Sequence, residues 1–88
     1  MTLARMWEAR AADGRGPELH AWVREVALPA LRGTPGLERA EVLTAPGERV
    51  LLITWWTGEP ADADVPETPA DLLARPAHRW TFSRTHVE

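Results

Sequence analysis

Seven residues in an unbroken row, Val50, Leu51, Leu52, Ile53, Thr54, Trp55 and Trp56, stand between Arg49 and Thr57. Side chains of a strand alternate between two faces. Val50, Leu52, Thr54 and Trp56 therefore share one face, and Leu51, Ile53 and Trp55 share the other. Both faces are greasy, a pattern expected of a strand covered on each side. Whatever this chain folds into must supply cover above and below that strand.

The remaining residues supply the neighbours. Leu3 to Arg10 alternates around Met6 and Trp7 and predicts a first strand, followed by turn material from Ala11 to Gly16. Pro17 suits a first helical position, where its missing N–H costs nothing. From there Leu19, Trp22, Val23, Val26 and Ala30 form one helical stripe, opposite Glu18, His20, Arg24 and Glu25. Pro29 should kink or end this helix, and Gly33, Pro35 and Gly36 complete the stop. Leu37 to Leu43 predicts a second strand, joined to the third by a hairpin turn through Ala45, Pro46, Gly47 and Glu48. Gly58 to Pro66 is a loop carrying Glu59, Asp62 and Asp64, best taken as a solvated flap. Thr68, Pro69 and Asp71 signal the start of a short second helix with Leu72 and Leu73 on its apolar side, interrupted at Pro76. Trp80 to Val87 alternates again and predicts a fourth strand, with Trp80, Phe82, Arg84 and His86 on one face.

With 88 residues the chain has room for one domain, residues 1–88. The order of elements gives an α+β class, a ferredoxin-like β-α-β-β-α-β fold with a four-stranded antiparallel sheet in the order 4-1-3-2. In that arrangement both helices cover the same face. The second face still needs cover, and the simplest supplier is a second copy across a twofold axis, so a homodimer is expected.

Composition narrows the chemistry. There is no Cys, so disulfides and thiolate chemistry are absent, and with every one of the ten basic residues an Arg there is no Schiff-base lysine. A net charge of −3 argues against a nucleic-acid partner. No stretch is long and apolar enough for a membrane span, and no signal peptide is visible, which leads to the expectation of a cytoplasmic protein. Asp62 and Asp64 lie in a loop without the glycine and terminal glutamate of a calcium loop, so no metal site is expected.

The element order, the Leu-Pro-Ala-Leu-x-x-x-Pro-Gly-Leu segment from Leu28 to Leu37, the strand ending in Trp55-Trp56 and the Arg75-Pro76-Ala77-His78-Arg79 turn together resemble the antibiotic biosynthesis monooxygenase family of dimeric α+β barrels. The resemblance implies a small oxygenase that works without a cofactor on a hydrophobic, polyketide-type aromatic molecule, in a pocket between helices and sheet. It also allows a non-catalytic ligand-binding or haem-binding module, and a structural dimerisation protein remains a third reading. The haem-degrading branch of the family pairs its histidine with an asparagine on the first strand and a tryptophan on the second helix. This chain has no Asn at all, and the helical position falls near Thr68. Haem is therefore disfavoured, although binding through one histidine is not removed by these absences.

By the same resemblance His78 is the candidate catalytic base, facing the cleft after the second helix. Its ordinary role would be to cap the helix end, where a cation meets unpaired carbonyls. Trp7, Trp22, Trp56 and Trp80 are candidate substrate-binding residues, because indoles offer stacking faces and one N–H donor each. The competing role for all of them is core and dimer packing. Arg84, continuing the Trp80 face, is a candidate anion partner unless the strand simply runs out into solvent.

Overall fold

The computed structural model of the chain describes residues 1–58 and 64–88. Glu59 and Asp62 of the expected flap lie outside the described residues. Strand β1 spans Thr2–Arg10, β2 Leu37–Ala45, β3 Arg49–Thr57 and β4 His78–Ser83. They form one antiparallel sheet in the order β2-β3-β1-β4, the expected ferredoxin-like arrangement. The doubly apolar strand β3 is central, between β1 and β2, as its composition requires.

One helix crosses the sheet. It runs as α-helix over Gly16–Trp22, as π-helix over Val23–Ala27 and as α-helix again over Leu28–Leu31, and is called α1 as a whole. The expected break at Pro29 is absent, and the widened turn before it explains why. A proline has no N–H to give and its ring crowds the carbonyl four residues back. Here the N–H of Leu28 reaches past that spacing to the carbonyl of Val23, five residues back, and the helix continues to Leu31. The wider turn also resets which side chains face inward. Leu19, Val23, Ala27 and Leu31 are buried at a constant spacing of four, whereas Val26, expected on the apolar stripe, is 45% exposed.

The start of α1 has no side-chain cap of its own. Glu48, in the β2–β3 turn, provides one from across the fold. Its carboxylate accepts from the backbone N–H groups of Gly14 at 3.0 Å and Gly16 at 3.3 Å, while its carbonyl accepts from Ala11 at 2.8 Å. These bonds hold Glu48 at φ 58°, a left-handed conformation that a non-glycine residue adopts only when its surroundings compensate.

The second helix is the main departure from expectation. Between Thr68 and Pro76 the chain makes only a single 3-10 turn, Ala70–Leu72, with no capping bond from Thr68. Helix nucleation is costly and the two prolines leave too few residues to repay it. The flanking backbone instead pairs with the end of β1: Ala12 donates to the carbonyl of Leu72 at 2.8 Å and Ala74 to that of Arg10 at 2.9 Å. Strand β4 is also shorter than expected and stops at Ser83.

The core lies between α1 and the sheet. Leu3, Trp7 and Ala9 of β1 and Val50, Leu52 and Trp56 of β3 meet Leu19, Val23, Ala27 and Leu31 of the helix, and Leu72 closes one end. Thr54, a polar residue in this wall, is satisfied by accepting from Trp56 Nε1 at 2.8 Å. No helix among the described residues is long and apolar enough to cross a membrane.

Candidate functional site

Strand register decides which side chains share a face. Opposite pairs Leu3↔Trp56, Arg5↔Thr54 and Trp7↔Leu52, continued to β4 by Arg5↔Thr81 and Trp7↔Arg79, belong to the face that α1 covers. The alternate set belongs to the open face: Ala4 with Trp55 and Phe82, Met6 with Ile53 and Trp80, and Glu8 with Leu51 and His78.

On the covered face a cavity of about 380 Å³ opens beside the helix. Its wall includes Trp7, Leu52, Thr54 and Trp56 from the central strands, Leu31 from α1, and Arg5, Arg79 and Thr81 toward the β4 edge, with Asp64 and Val65 at its border. It lies over the β1–β4 side of the sheet, the part that a second full helix would have helped to cover. The size falls within the usual range for small-molecule pockets, roughly 300–1,000 Å³.

The cavity has an apolar side and a cationic side. Trp7 is 3% exposed and Trp56 1% exposed, so both indoles are fixed by packing rather than free to swing. Trp56 Nε1 is committed to Thr54, whose hydroxyl donates in turn to the carbonyl of Arg5 at 3.5 Å. Trp7 Nε1 is buried without a hydrogen-bond partner. Toward the edge, Arg79 Nε meets Asp64 Oδ1 at 3.3 Å, a solvent-accessible ion pair.

The sequence candidates divide between the two faces. Trp7 and Trp56 line the cavity together. Trp22 does not line it but stands behind Trp7, ring centroids 6.1 Å apart. Trp80 borders the cavity while belonging by register to the open face, where it is 45% exposed and meets the His78 ring edge-on at 5.7 Å. His78 begins β4, exposed and opposite Glu8, so the sheet separates it from the cavity. That corrects the expectation that His78 faces the cleft. Without a second helix there is also no helix end for it to cap, and one residue of strand alternation sends it to the far side. Arg84 lies on the same far side, its guanidinium 4.8 Å from the centre of the Trp55 ring. It stacks on an aromatic there and does not reach the cavity wall.

Arg5, Thr54, Arg79 and Thr81 are polar residues of the cavity wall that were not among the site residues expected from the sequence. The available signal was parity: Arg5 alternates with Trp7, a residue for which core packing was one expected role, and an arginine at such a place is unusual enough to ask what it faces. The open face has its own partly buried ion pair, in which Arg75 donates to Glu8 at 2.7 Å. Among the described residues no group of three or more His, Asp or Glu is placed to hold a metal ion.

No protein-family model matches the chain, and no curated protein matches it. Solved structures do. Rv0793 from Mycobacterium tuberculosis superposes with a TM-score of 0.71 at 14% identity, over 99% of this chain and 98% of that one. The "Putative antibiotic biosynthesis monooxygenase" from Nitrosomonas europaea superposes with a TM-score of 0.73 at 19% identity, over 94% of this chain and 89% of that one. At such identities the likeness is one of fold, and it extends over nearly the whole of each molecule. A neighbour of that description agrees with the resemblance drawn from the Leu28–Leu37 segment and the Trp55-Trp56 strand end.

Proposed function

We propose that the chain is a monooxygenase-like protein that takes a small hydrophobic aromatic molecule into the cavity between α1 and the sheet, and that it works as a homodimer. The observation that carries the first part is the cavity itself, with two rigid indoles on one side and arginines on the other. Fixed aromatic walls bind planar rings at little entropic cost, since their side chains are already ordered. The oxygenase chemistry of the resembled family needs no added reductant. A ring CH₂ that becomes C=O releases the four electrons that reduce O₂, one oxygen atom entering the product and the other leaving as water. The protein's share is to hold the substrate dry and favour loss of its proton. His78 stands on the wrong side of the sheet for that task, so the electrostatic part falls to Arg5 and Arg79, cations that favour the deprotonated form.

The homodimer rests on the open face. Leu43 at 44%, Trp80 at 45% and Phe82 at 50% exposed surround the half-buried Leu51, Ile53 and Trp55. Contiguous apolar surface of this kind is what monomers seldom leave wet. A non-catalytic ligand-binding module is the second reading, and one observation favours it. Asp64 is the only carboxylate, and no histidine stands, among the described residues of the cavity wall.

Haem does not fit this site. Its one candidate axial ligand, His78, is on the opposite face. Oxygen uptake with an anthrone separates the two readings: the enzyme consumes O₂ above the spontaneous rate and His78→Ala retains that activity. Saturable binding with no added O₂ uptake would leave the binding module, and absence of binding would sink both.

A further inference from the structure

We infer that the molecule held in this cavity is a neutral aromatic ketone whose carbonyl oxygen accepts a hydrogen bond from Trp7 Nε1; this rests on the reading that the cavity takes an aromatic molecule. Trp7 is 3% exposed, and its side chain is part of the cavity wall. Among the described residues its indole nitrogen is the one buried side-chain nitrogen or oxygen without a partner. Buried polar groups are nearly always paired, and each exception calls for an explanation. An indole N–H can only donate, so what would satisfy it is an acceptor, and no protein group supplies one.

The other donors of the wall stand differently. Trp56 Nε1 donates to the Thr54 hydroxyl at 2.8 Å, and that hydroxyl donates to the Arg5 carbonyl at 3.5 Å. Arg5 is half-buried and already engaged, and Arg79 holds Asp64 through Nε at 3.3 Å. Arg79, Trp80 and Thr81 are exposed, so water reaches them. A donor that water reaches trades one hydrogen bond for another when it takes a ligand, and the net gain is small. Trp7 Nε1 has no such bond to give up. An acceptor on the ligand therefore gains most at Trp7.

The surroundings decide what kind of acceptor it is. A carboxylate brought to this point would lose its hydration for a single N–H, which costs more than it returns. A hydroxyl could accept, but its own proton would then need an acceptor, and the wall's one carboxylate among the described residues, Asp64, is at the border and exposed. A carbonyl oxygen needs a donor, brings no proton and carries no charge. Indole walls with one unsatisfied N–H thus select for a flat apolar body bearing a ketone.

Titration with α-tetralone and with tetralin, which has CH₂ in place of the carbonyl, tests this. In proton–nitrogen correlation spectra of the unmodified protein, the Trp7 indole N–H signal should move downfield with α-tetralone and not with tetralin. In calorimetry Trp7→Phe, which keeps an aromatic ring but has no N–H, should lower the affinity for α-tetralone about tenfold more than that for tetralin. A Trp7 that only packs would make the variant lose affinity for both compounds alike. Parallel losses, or α-tetralone bound with the Trp7 signal unmoved, overturns the hydrogen bond while the aromatic cavity stands. Because the spectra are read on the unmodified protein, they decide the matter even if Trp7→Phe does not fold. If neither compound binds, the cavity reading fails and takes the ketone site with it.

Discussion

The two faces of the sheet are built from nearly the same kinds of residue and have different fates. Leu3, Trp7, Ala9, Val50, Leu52 and Trp56 on the helix side are all at most 8% exposed, whereas Leu51, Ile53 and Trp55 on the other side are half-buried and Trp80 and Phe82 about half exposed. Adjacent residues of a single strand, Trp55 and Trp56, fall on either side of this divide. Hydrophobicity therefore specifies that a face needs cover, while topology specifies whether the same molecule delivers it. One face is finished by α1, and the other is a surface whose stability depends on what meets it.

The largest expected effect contrasts those neighbours. Trp56→Ala should cost about 3–5 kcal/mol, because it removes an indole that is almost wholly buried. Against a total of about 5–10 kcal/mol for a domain of this kind, that leaves the fold barely stable. Trp55→Ala, measured in urea at protein concentrations low enough to favour monomers, should cost about 1 kcal/mol, the part of the indole already buried. Equal losses at the two positions would erase the distinction between the faces. Next in size is Ile53→Glu, which puts a charge at the middle of the open face. Sedimentation should find the unmodified protein as a dimer and the variant as a monomer with unchanged far-ultraviolet circular dichroism. A monomeric unmodified protein would show that a second copy is not what covers this face.

The strand pattern was legible because its period of two survives folding unchanged: β3, its parity and the order β2-β3-β1-β4 all follow from local alternation and handedness rules. Elements whose form depends on long-range compensation were not. Pro29 is a correct local stop signal, overruled by the π-turn at Val23–Ala27 and by the burial of Leu31 on the far side of it. Thr68-Pro69 is a correct local start signal, overruled because the backbone gained ladder bonds to β1 instead of helical ones. The site suffered most from this second case. His78 was placed by analogy to a turn following a helix, and once that helix is absent, strand alternation alone sets its face. Trp7 and Trp56, named as candidates for their indole rings, both line the cavity, and strand parity, which separates Trp55 from Trp56, puts Arg5 on the same face as Trp7.

Smaller effects concern how the helix is held over the finished face. Glu48→Ala removes the carboxylate that receives Gly14 and Gly16 and leaves an alanine at φ 58°. Loss of a cap costs about 1 kcal/mol, and the left-handed alanine adds to it. Glu48→Gly should recover part of that loss by relieving the backbone alone. If glycine is no better than alanine in thermal melts, the strain contributes nothing.

The smallest effect lies at the helix start, where Arg15 holds Glu18 at 2.6 Å and Asp71 at 2.9 Å, tying α1 to the Ala70–Leu72 turn. Hydrogen bonds from Arg15 hold the Glu18 and Asp71 carboxyls below their ordinary ranges, and those same two bonds raise the guanidinium. A carboxyl that binds its proton less tightly in the folded chain than in the unfolded one stabilises the fold at all pH above its unfolded value. That contribution disappears as pH falls through the lowered folded value. The window is therefore acidic, beneath the ordinary glutamate and aspartate values, and neutral pH lies outside it. Glu18 and Asp71 are exposed and Arg15 is half-buried, so solvent and salt screen the pairs and the difference should be small. Melting temperatures of the unmodified protein and Arg15→Gln should differ slightly near neutral pH and converge as the pH drops below about 3. A gap that persists unchanged into acid would mean that the arginine acts through the packing of its stem. In that case α1 would be held over its face by burial and by the Glu48 carboxylate, with nothing added by the ion pairs at its start.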